Sequence, residues 1–294
     1  MIRIFIDGMA GATGLTLEEK LAALPGTEIL KPDENFRKDM ETRRAYLNQA
    51  DVAFLCLPDA AAREAAGMLT NPETVLIDAS TAHRTAPGWA YGFPELSESH
   101  YQALRTANRI TVPGCHASGF IALVYPLVKG GFIGTGETLR CHSLTGYSGG
   151  GRVMIDAYET GDPPSAAKLY ALDLSHKHLP EMRHVCGLIN PPVFLPVVTA
   201  ARQGMVVTVP LDADARAVWT YLNHYYRKPG AVSVMPFNGT DTLTLEGMNH
   251  TNEMELYVFG CETQTVLAAR FDNLGKGSAG AALQCMKVRM GLCG

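Results

Sequence analysis

The chain opens on a short β-branched run, Ile2 to Ile6, which ends in Asp7-Gly8 and passes through Met-Ala-Gly11-Ala-Thr-Gly14 into Leu15–Leu24. In that last stretch Leu17, Leu21 and Leu24 recur at helical spacing. Three glycines therefore fall in the turn from a first strand into a first helix. Glycine there lets the backbone approach a pyrophosphate, whose charge the helix N-terminus stabilises. The spacing is G-x-x-G-x-x-G rather than G-x-G-x-x-G, so a tight turn without a ligand is the competing reading. Gly8, Gly11, Ala12, Thr13 and Gly14 are the candidate cofactor contacts.

The stretches that follow fit a parallel sheet wound with helices. Thr27–Leu30 reads as a second strand, and Lys31, Arg37 and Lys38 come after it, where an adenosine ribose is read in such a fold. Acidic residues stand beside them, yet the three cations lean towards a 2′-phosphate. Asp51–Leu57 is an almost continuous apolar strand, as expected when helices cover both faces. Pro58 ends it and Ala60–Leu69 is helical in propensity. Thr74–Ile77 is another buried strand that closes on Asp78-Ala-Ser-Thr-Ala-His-Arg84. Arg84 is a candidate anion clamp at that strand end, or else a loop arginine on the surface. A polar helix spans Ser97–Thr106, and Arg109–Val112 is a last strand.

That strand feeds Thr111-Val-Pro-Gly-Cys-His-Ala-Ser-Gly-Phe120. Pro113 and Gly114 end it and a helix begins near Ala117, which puts the sulfur of Cys115 at a helix N-terminus. Unpaired N–H groups and the positive end of the helix dipole favour a thiolate there. The same groups can hold an oxyanion. A small buried cysteine in a tight turn is the alternative.

From Glu137 the texture changes to alternating strands: Glu137–Leu144, Val193–Thr199, Gly204–Val209, Val232–Met235, Leu243–Leu245, Glu253–Val258 and Gln264–Arg270. Tyr147–Arg152 reads as a flexible loop, Ala215–Tyr226 as a helix, and Gly280–Met290 as a helix returning to the first domain. This is an α+β unit distinct from the parallel half. His176 and His178 form an H-x-H pair whose rings share a face if the segment is a strand. A metal needs a third ligand, with Glu181 or His184 as the choices and no cysteine at ligand spacing, so no metal is expected. A general acid/base histidine reaching Cys115 is more economical, against structural histidines as the bland alternative.

At 294 residues the chain has room for one large or two ordinary domains. With 47% apolar and 18% charged residues it is expected to be soluble and globular, and a net charge of −4 argues against nucleic-acid or acidic-membrane partners. The longest apolar run, Phe120–Val128, is too short to span a bilayer. The N-terminus lacks a signal-peptide pattern, and seven irregularly spaced cysteines suit a reducing, cytoplasmic setting.

Six segments, taken in order, resemble the N-acetyl-γ-glutamyl-phosphate reductase family in its shorter form. They are Gly8-Met-Ala-Gly-Ala-Thr-Gly14, Tyr91-Gly-Phe-Pro-Glu-Leu96, Pro113-Gly-Cys115, Gly146-Tyr-Ser-Gly-Gly-Gly151, His176-Lys-His-Leu-Pro-Glu-Met182 and Asp272-Asn-Leu-Gly-Lys-Gly277. The resemblance implies an α/β Rossmann-type dinucleotide-binding domain over 1–114 plus about 278–294. It also implies an α+β substrate and dimerisation domain over 115–277, like the C-terminal domain of glyceraldehyde-phosphate dehydrogenase. The implied cofactor is NADP, the substrate a small acyl phosphate, and the assembly a homodimer or homotetramer.

By the same resemblance Cys115 is the nucleophile, which expels phosphate to leave a thioester that is then reduced to the aldehyde. Tyr170, His176, His178 and Glu181 supply the acid/base and its support, with His178 favoured over His176. Arg84 and Arg202 fall where the family binds substrate, and Tyr170 and Glu181 are further substrate-binding candidates. The sequence departs from the family at His116, usually aromatic, and at Ser118, usually Thr. The rival readings are an aspartate-semialdehyde dehydrogenase, a cofactor-independent cysteine hydrolase or acyltransferase, and a non-catalytic dinucleotide sensor.

Overall fold

The computed structural model describes residues 1–160 and 164–292. The chain divides into two compact units, Met1–Gly114 with the segment from Ser278 onward, and Cys115–Gly277.

The first unit alternates strand and helix: β1 (Ile2–Asp7), α1 (Ala12–Ala22), β2 (Thr27–Leu30), α2 (Met40–Gln49), β3 (Val52–Leu55), α3 (Asp59–Met68), β4 (Val75–Asp78), β5 (Ala90–Tyr91), α4 (Glu98–Thr106) and β6 (Arg109–Thr111). The strands pair in the order β2-β1-β3-β4-β6-β5, every pair parallel. Strand order reverses around β1, and ligands bind such sheets beyond the carboxyl ends at that reversal. Side chains alternate between two cores as the period of a strand requires. Ile4, Ile6, Val52 and Phe54 pack with Leu17 and Leu21 of α1 on one face, while Phe5, Ala53 and Leu55 pack with Leu47 of α2 and Ala62 of α3 on the other. The unread helix α2 begins at Asp39, whose carboxylate accepts from Thr42 N at 2.8 Å.

The second unit contains α5 (Cys115–Lys129), β7 (Arg140–Gly146), α6 (Gly151–Glu159), β8 (Ala167–Leu169), α7 (Leu179–Cys186), β9 (Val193–Thr199), β10 (Met205–Leu211), α8 (Ala215–Tyr225), β11 (Val232–Val234), β12 (Met254–Gly260) and β13 (Thr265–Phe271). Its seven-stranded sheet has the order β11-β12-β13-β10-β7-β9-β8. The pairs β7–β9 and β11–β12 are parallel and the rest antiparallel. Helices α5 and α8 pack against this sheet. Pro126 lies inside α5, where it has no N–H to give the carbonyl four residues back. That carbonyl, on Ala122, instead accepts from the Tyr226 hydroxyl at 2.8 Å. The chain then returns to the first unit as α9 (Gly280–Met290), where Ala281, Ala282, Cys285 and Met286 fill the core beside α1.

Three sequence expectations change. His176 and His178 lie in a turn leading into α7, with His178 as its N-cap, not on a strand. Tyr147–Gly150 is a 3₁₀ turn running into α6 rather than a loop. Residues 243–245 form no strand, since polar and glycine-containing sequence follows at once and no neighbour pairs with them.

Candidate active site

The turn after β1 is shaped by its glycines. Gly8 has φ +89°, and a Cβ there would meet the Cys56 carbonyl oxygen at 2.3 Å. A Cβ on Gly14 would lie 2.7 Å from Gly8 O and Met9 Cα. These two glycines are explained by packing within the protein. Gly11 is not: its φ is −78° and a Cβ would make only ordinary contacts, the nearest at 3.5 Å. Gly11 caps α1 without a side chain, and the first turn carries no acidic residue. Open space at a helix N-terminus free of carboxylates suits a pyrophosphate, so the residues present fit a dinucleotide. Ala12 and Thr13 supply the adjoining backbone N–H groups, and Thr13 Oγ1 bonds Ser278 Oγ at 3.0 Å.

Beyond β2, Arg37 and Lys38 are exposed in the turn-rich segment before α2, while Lys31 pairs with Glu18 at 2.5 Å. The carboxyl end of β4 holds a buried polar cluster that the sequence reading missed. His83 Nδ1 lies 2.6 Å from Asp78 Oδ2, Ser80 Oγ donates to the same oxygen at 2.8 Å, and the His83 ring stacks on Trp89. Only the juxtaposition of D-x-S-x-x-H at a strand end signalled it. Arg84 follows, with Nε donating to Val112 O at 2.9 Å and Nη2 to Ala79 O at 3.0 Å. Part of its fork is thus committed to backbone carbonyls.

Cys115 is the first residue of α5 and partly exposed. The next residue, His116, is the centre of an aromatic cluster in the same unit. The His116 ring meets those of His176, His178 and Phe194 at centroid distances of 5.4, 5.7 and 5.2 Å, and His176 meets His178 edge-on at 4.7 Å. His178 N donates to His176 Nδ1 at 3.2 Å. His116 is buried, with Nδ1 2.7 Å from Ser143 Oγ and Nε2 2.8 Å from the Tyr170 hydroxyl. Burial first, then the charges of His176 and Lys177, push His116 down to about 3, so it is neutral at physiological pH. Burial, and then the Cys115 charge, holds the Tyr170 phenol above its ordinary value. The sulfur therefore lies within electrostatic reach of Tyr170. Buried Glu181 sits in the first turn of α7, where a carboxylate suits the dipole.

Behind Cys115 stands the segment Asp272–Gly277. Asp272 accepts from His250 N and Leu274 N at 2.8 Å each. Asn273 accepts from Gly204 N at 2.8 Å and donates to Ser148 Oγ at 2.9 Å. A Cβ on Gly277 would lie 3.0 Å from Cys115 Cβ, so only glycine leaves the cysteine undisturbed. The Arg202 side chain is 68% exposed and pairs with Glu159 at 3.3 Å. Cys141 and Cys186 are buried in apolar surroundings that raise their thiols, and Cys56 is pushed up to about 12. Among these, only Cys115 combines partial exposure with a helix start.

Residues 10–104 match the family described as semialdehyde dehydrogenase, NAD binding domain, and residues 115–273 the semialdehyde dehydrogenase, dimerisation domain. N-acetyl-gamma-glutamyl-phosphate reductase from Burkholderia lata is 42% identical, over 98% of this chain and 96% of its own length. The relative named N-acetyl-gamma-glutamyl-phosphate reductase 2 from Pseudomonas putida is 40% identical over the same shares. Among solved structures, aspartate semialdehyde dehydrogenase II from Vibrio cholerae superposes with a TM-score of 0.73 at 16% identity, covering 99% of this chain and 98% of its own. Aspartate semialdehyde dehydrogenase with NADP from Candida albicans gives 0.69 at 14% identity, covering 98% of each chain. These likenesses bear on the fold. They bring the cofactor-independent hydrolase reading no support. With a parallel dinucleotide-binding unit, a mixed-sheet unit beginning at its cysteine, and close relatives along nearly its whole length, the chain belongs to the N-acetyl-gamma-glutamyl-phosphate reductase family.

Proposed function

We propose that the protein reduces N-acetyl-γ-glutamyl phosphate to the semialdehyde with release of phosphate, as a step of arginine biosynthesis in the cytoplasm. The observation that carries this reading is Cys115, partly exposed as the first residue of α5, next to His116, whose ring meets those of His176 and His178, and within electrostatic reach of Tyr170. Its thiolate attacks the acyl phosphate carbon, and the tetrahedral oxyanion collapses with loss of inorganic phosphate to a Cys115 thioester. NADPH, when bound, would supply the hydride for reducing the thioester. His178, with His176 as its support, takes the proton from the thiol and passes it to the departing phosphate, and release of the aldehyde frees the Cys115 thiolate again. The N–H groups at the start of α5 hold the oxyanion in both steps. Gly8, Gly11, Ala12, Thr13 and Gly14 hold the pyrophosphate, and Arg37 and Lys38 read the 2′-phosphate. Arg84, Tyr170, Glu181 and Arg202 contact or orient the substrate.

The unit 1–114 with 278–294 thus serves the cofactor, and 115–277 serves catalysis and assembly. One face of the second sheet is covered by α5 and α8, while the other presents Leu144, Leu195, Val197 and Val266. A second copy of the chain covers that face in a homodimer.

The direct experiment runs the reaction backwards and follows NADP reduction with phosphate, offering N-acetylglutamate semialdehyde or aspartate semialdehyde. Phosphate-dependent reduction with the acetylated substrate, abolished in Cys115→Ser, is expected. Preference for aspartate semialdehyde would favour the rival dehydrogenase reading. Turnover by Cys115→Ser above a tenth of wild type, about 1.4 kcal/mol, would remove the thioester.

A further inference from the structure

The Ser143 hydroxyl comes from β7, on the sheet face that packs against α5, and is wholly buried. Among the described residues its only hydrogen-bond partner is His116 Nδ1, at 2.7 Å. His116 Nε2 in turn faces the Tyr170 hydroxyl at 2.8 Å. A neutral imidazole has one N–H and one acceptor nitrogen, so the chain of three groups has only two directions. In one, Nδ1–H donates to Ser143 and Nε2 accepts from Tyr170, which strands the Ser143 proton in a site closed to water. In the other, Ser143 donates to Nδ1 and Nε2–H donates to the Tyr170 oxygen. The unused proton is then the phenolic one, on a side chain that is only partly buried. Buried donors without acceptors are costly, whereas a half-exposed one can find water or substrate. The second direction therefore wins.

We propose that Ser143 and His116 are positioning residues that fix the Tyr170 hydroxyl as a hydrogen-bond donor to the acyl oxygen of a substrate attacked by Cys115. The proposal rests on the Cys115 reading and adds a side-chain donor to the backbone groups at the helix start. No proton is transferred along the chain; the phenol stays protonated while negative charge grows on the oxygen in front of it. Its environment agrees with that. The His116 ring faces His176 and His178 from the turn before α7 and Phe194 from β9, and Lys177 adds positive charge nearby. Burial first, then His176 and Lys177, keep the imidazole neutral, and burial followed by the Cys115 charge keeps the phenol protonated. The imidazole at position 116 can carry a hydrogen-bond direction from Ser143 to Tyr170, which a phenyl ring there could not.

The test compares Tyr170→Phe, His116→Phe, His116→Gln and Ser143→Ala with the wild type in full kinetics. An oxyanion donor acts in the transition state, so Tyr170→Phe should lower kcat about 10²-fold with KM little changed. His116→Phe should fall similarly, and adding it to Tyr170→Phe should cost nothing more, because both remove the same donor. His116→Gln, whose amide N–H takes the place of Nε2–H, should recover most of the loss, and Ser143→Ala should fall between. Independently, ¹⁵N spectra of histidine-labelled wild-type protein should show His116 protonated at Nε2 from pH 6 to 8. That measurement stands even if a variant fails to fold. Protonation at Nδ1 instead, a kcat for Tyr170→Phe within about threefold of wild type, or additive losses in the double variant would each overturn the proposal. Cys115→Ser is assayed in parallel: if it is inactive while these outcomes fail, only the relay falls; if it turns over, the thiol reading falls with it.

Discussion

Histidine does three different jobs within about 6 Å of the His116 ring, and the differences come from burial rather than residue type. His116 is enclosed and neutral, His178 is buried at a helix start, and His176 is half-buried with its Nδ1 held by the His178 N–H. His178→Asn is therefore expected to lower kcat by about 10²–10⁴-fold and to distort the pH profile of thioester formation. His176→Asn should act mainly on KM, and the reverse pattern in steady-state kinetics would exchange the roles. His116 leaves its mark on stability. Its pKa is 6.5 when unfolded and about 3 when folded, so between these values the unfolded chain binds more protons. Stability therefore rises with pH across that window and gains nothing further above it. The unfolding free energy of the wild type from urea titration should fall as pH drops from 6.5, by up to about 1.4 kcal/mol per unit from this group. His116→Gln should lack that component, and parallel curves for the two proteins would contradict the depressed pKa.

Helix α5 carries Cys115 at one end and a proline near the other, and neighbours from distant sequence accommodate both. Tyr226 caps the Ala122 carbonyl that Pro126 leaves without an N–H, so Tyr226→Phe should destabilise by roughly 1–3 kcal/mol in denaturant titration, with kcat kept. A value near zero would mean the carbonyl finds another donor. Gly277 is the counterpart at the other end. Gly277→Ala would press a methyl to 3.0 Å from Cys115 Cβ, and a misplaced nucleophile is expected to lose about 10²-fold in kcat while the melting temperature moves little. Unchanged turnover would show that the segment yields. Sequence periodicity could find α5, α8 and α9 and the regular strands, because each has one apolar face or is apolar throughout. It could not find that Ser143, 27 residues after His116, or Tyr170, 54 residues after it, would meet the imidazole, since no local pattern encodes tertiary pairing. The H-x-H spacing did point to rings sharing a site, yet for the wrong reason: a turn and a helix cap bring them together, not a strand.

The second sheet is covered by α5 and α8 on one face and carries exposed aliphatic side chains on the other. Register places Leu144 beside Val197 on one strand and Val206 on the other, and it continues through Arg270 to Glu255 on the same face. Arg270 is fixed there by two bonds to Glu255 Oε2, at 2.9 and 2.6 Å, and one to the Tyr257 hydroxyl at 2.7 Å. A preorganised polar ladder beside exposed aliphatic side chains is the pattern of a self-complementary interface, with an apolar centre and polar groups already oriented. Leu144 is 40% exposed and Val266 42%, on strands otherwise well packed beneath. A carboxylate in the middle of that face would be desolvated twice over in a two-fold dimer, once from each copy. Leu144→Asp is therefore expected to sediment as a monomer at micromolar concentration, where the wild type sediments as a dimer, and to melt at lower temperature because the partner's contribution is gone. Because Ser143, the neighbour of Leu144 on β7, points to the opposite face and holds His116, loss of the partner should also loosen the cluster around Cys115. Activity of Leu144→Asp should then rise with protein concentration as residual dimer forms. A wild-type protein that sediments as a monomer, or a variant that remains fully dimeric, would place the interface elsewhere.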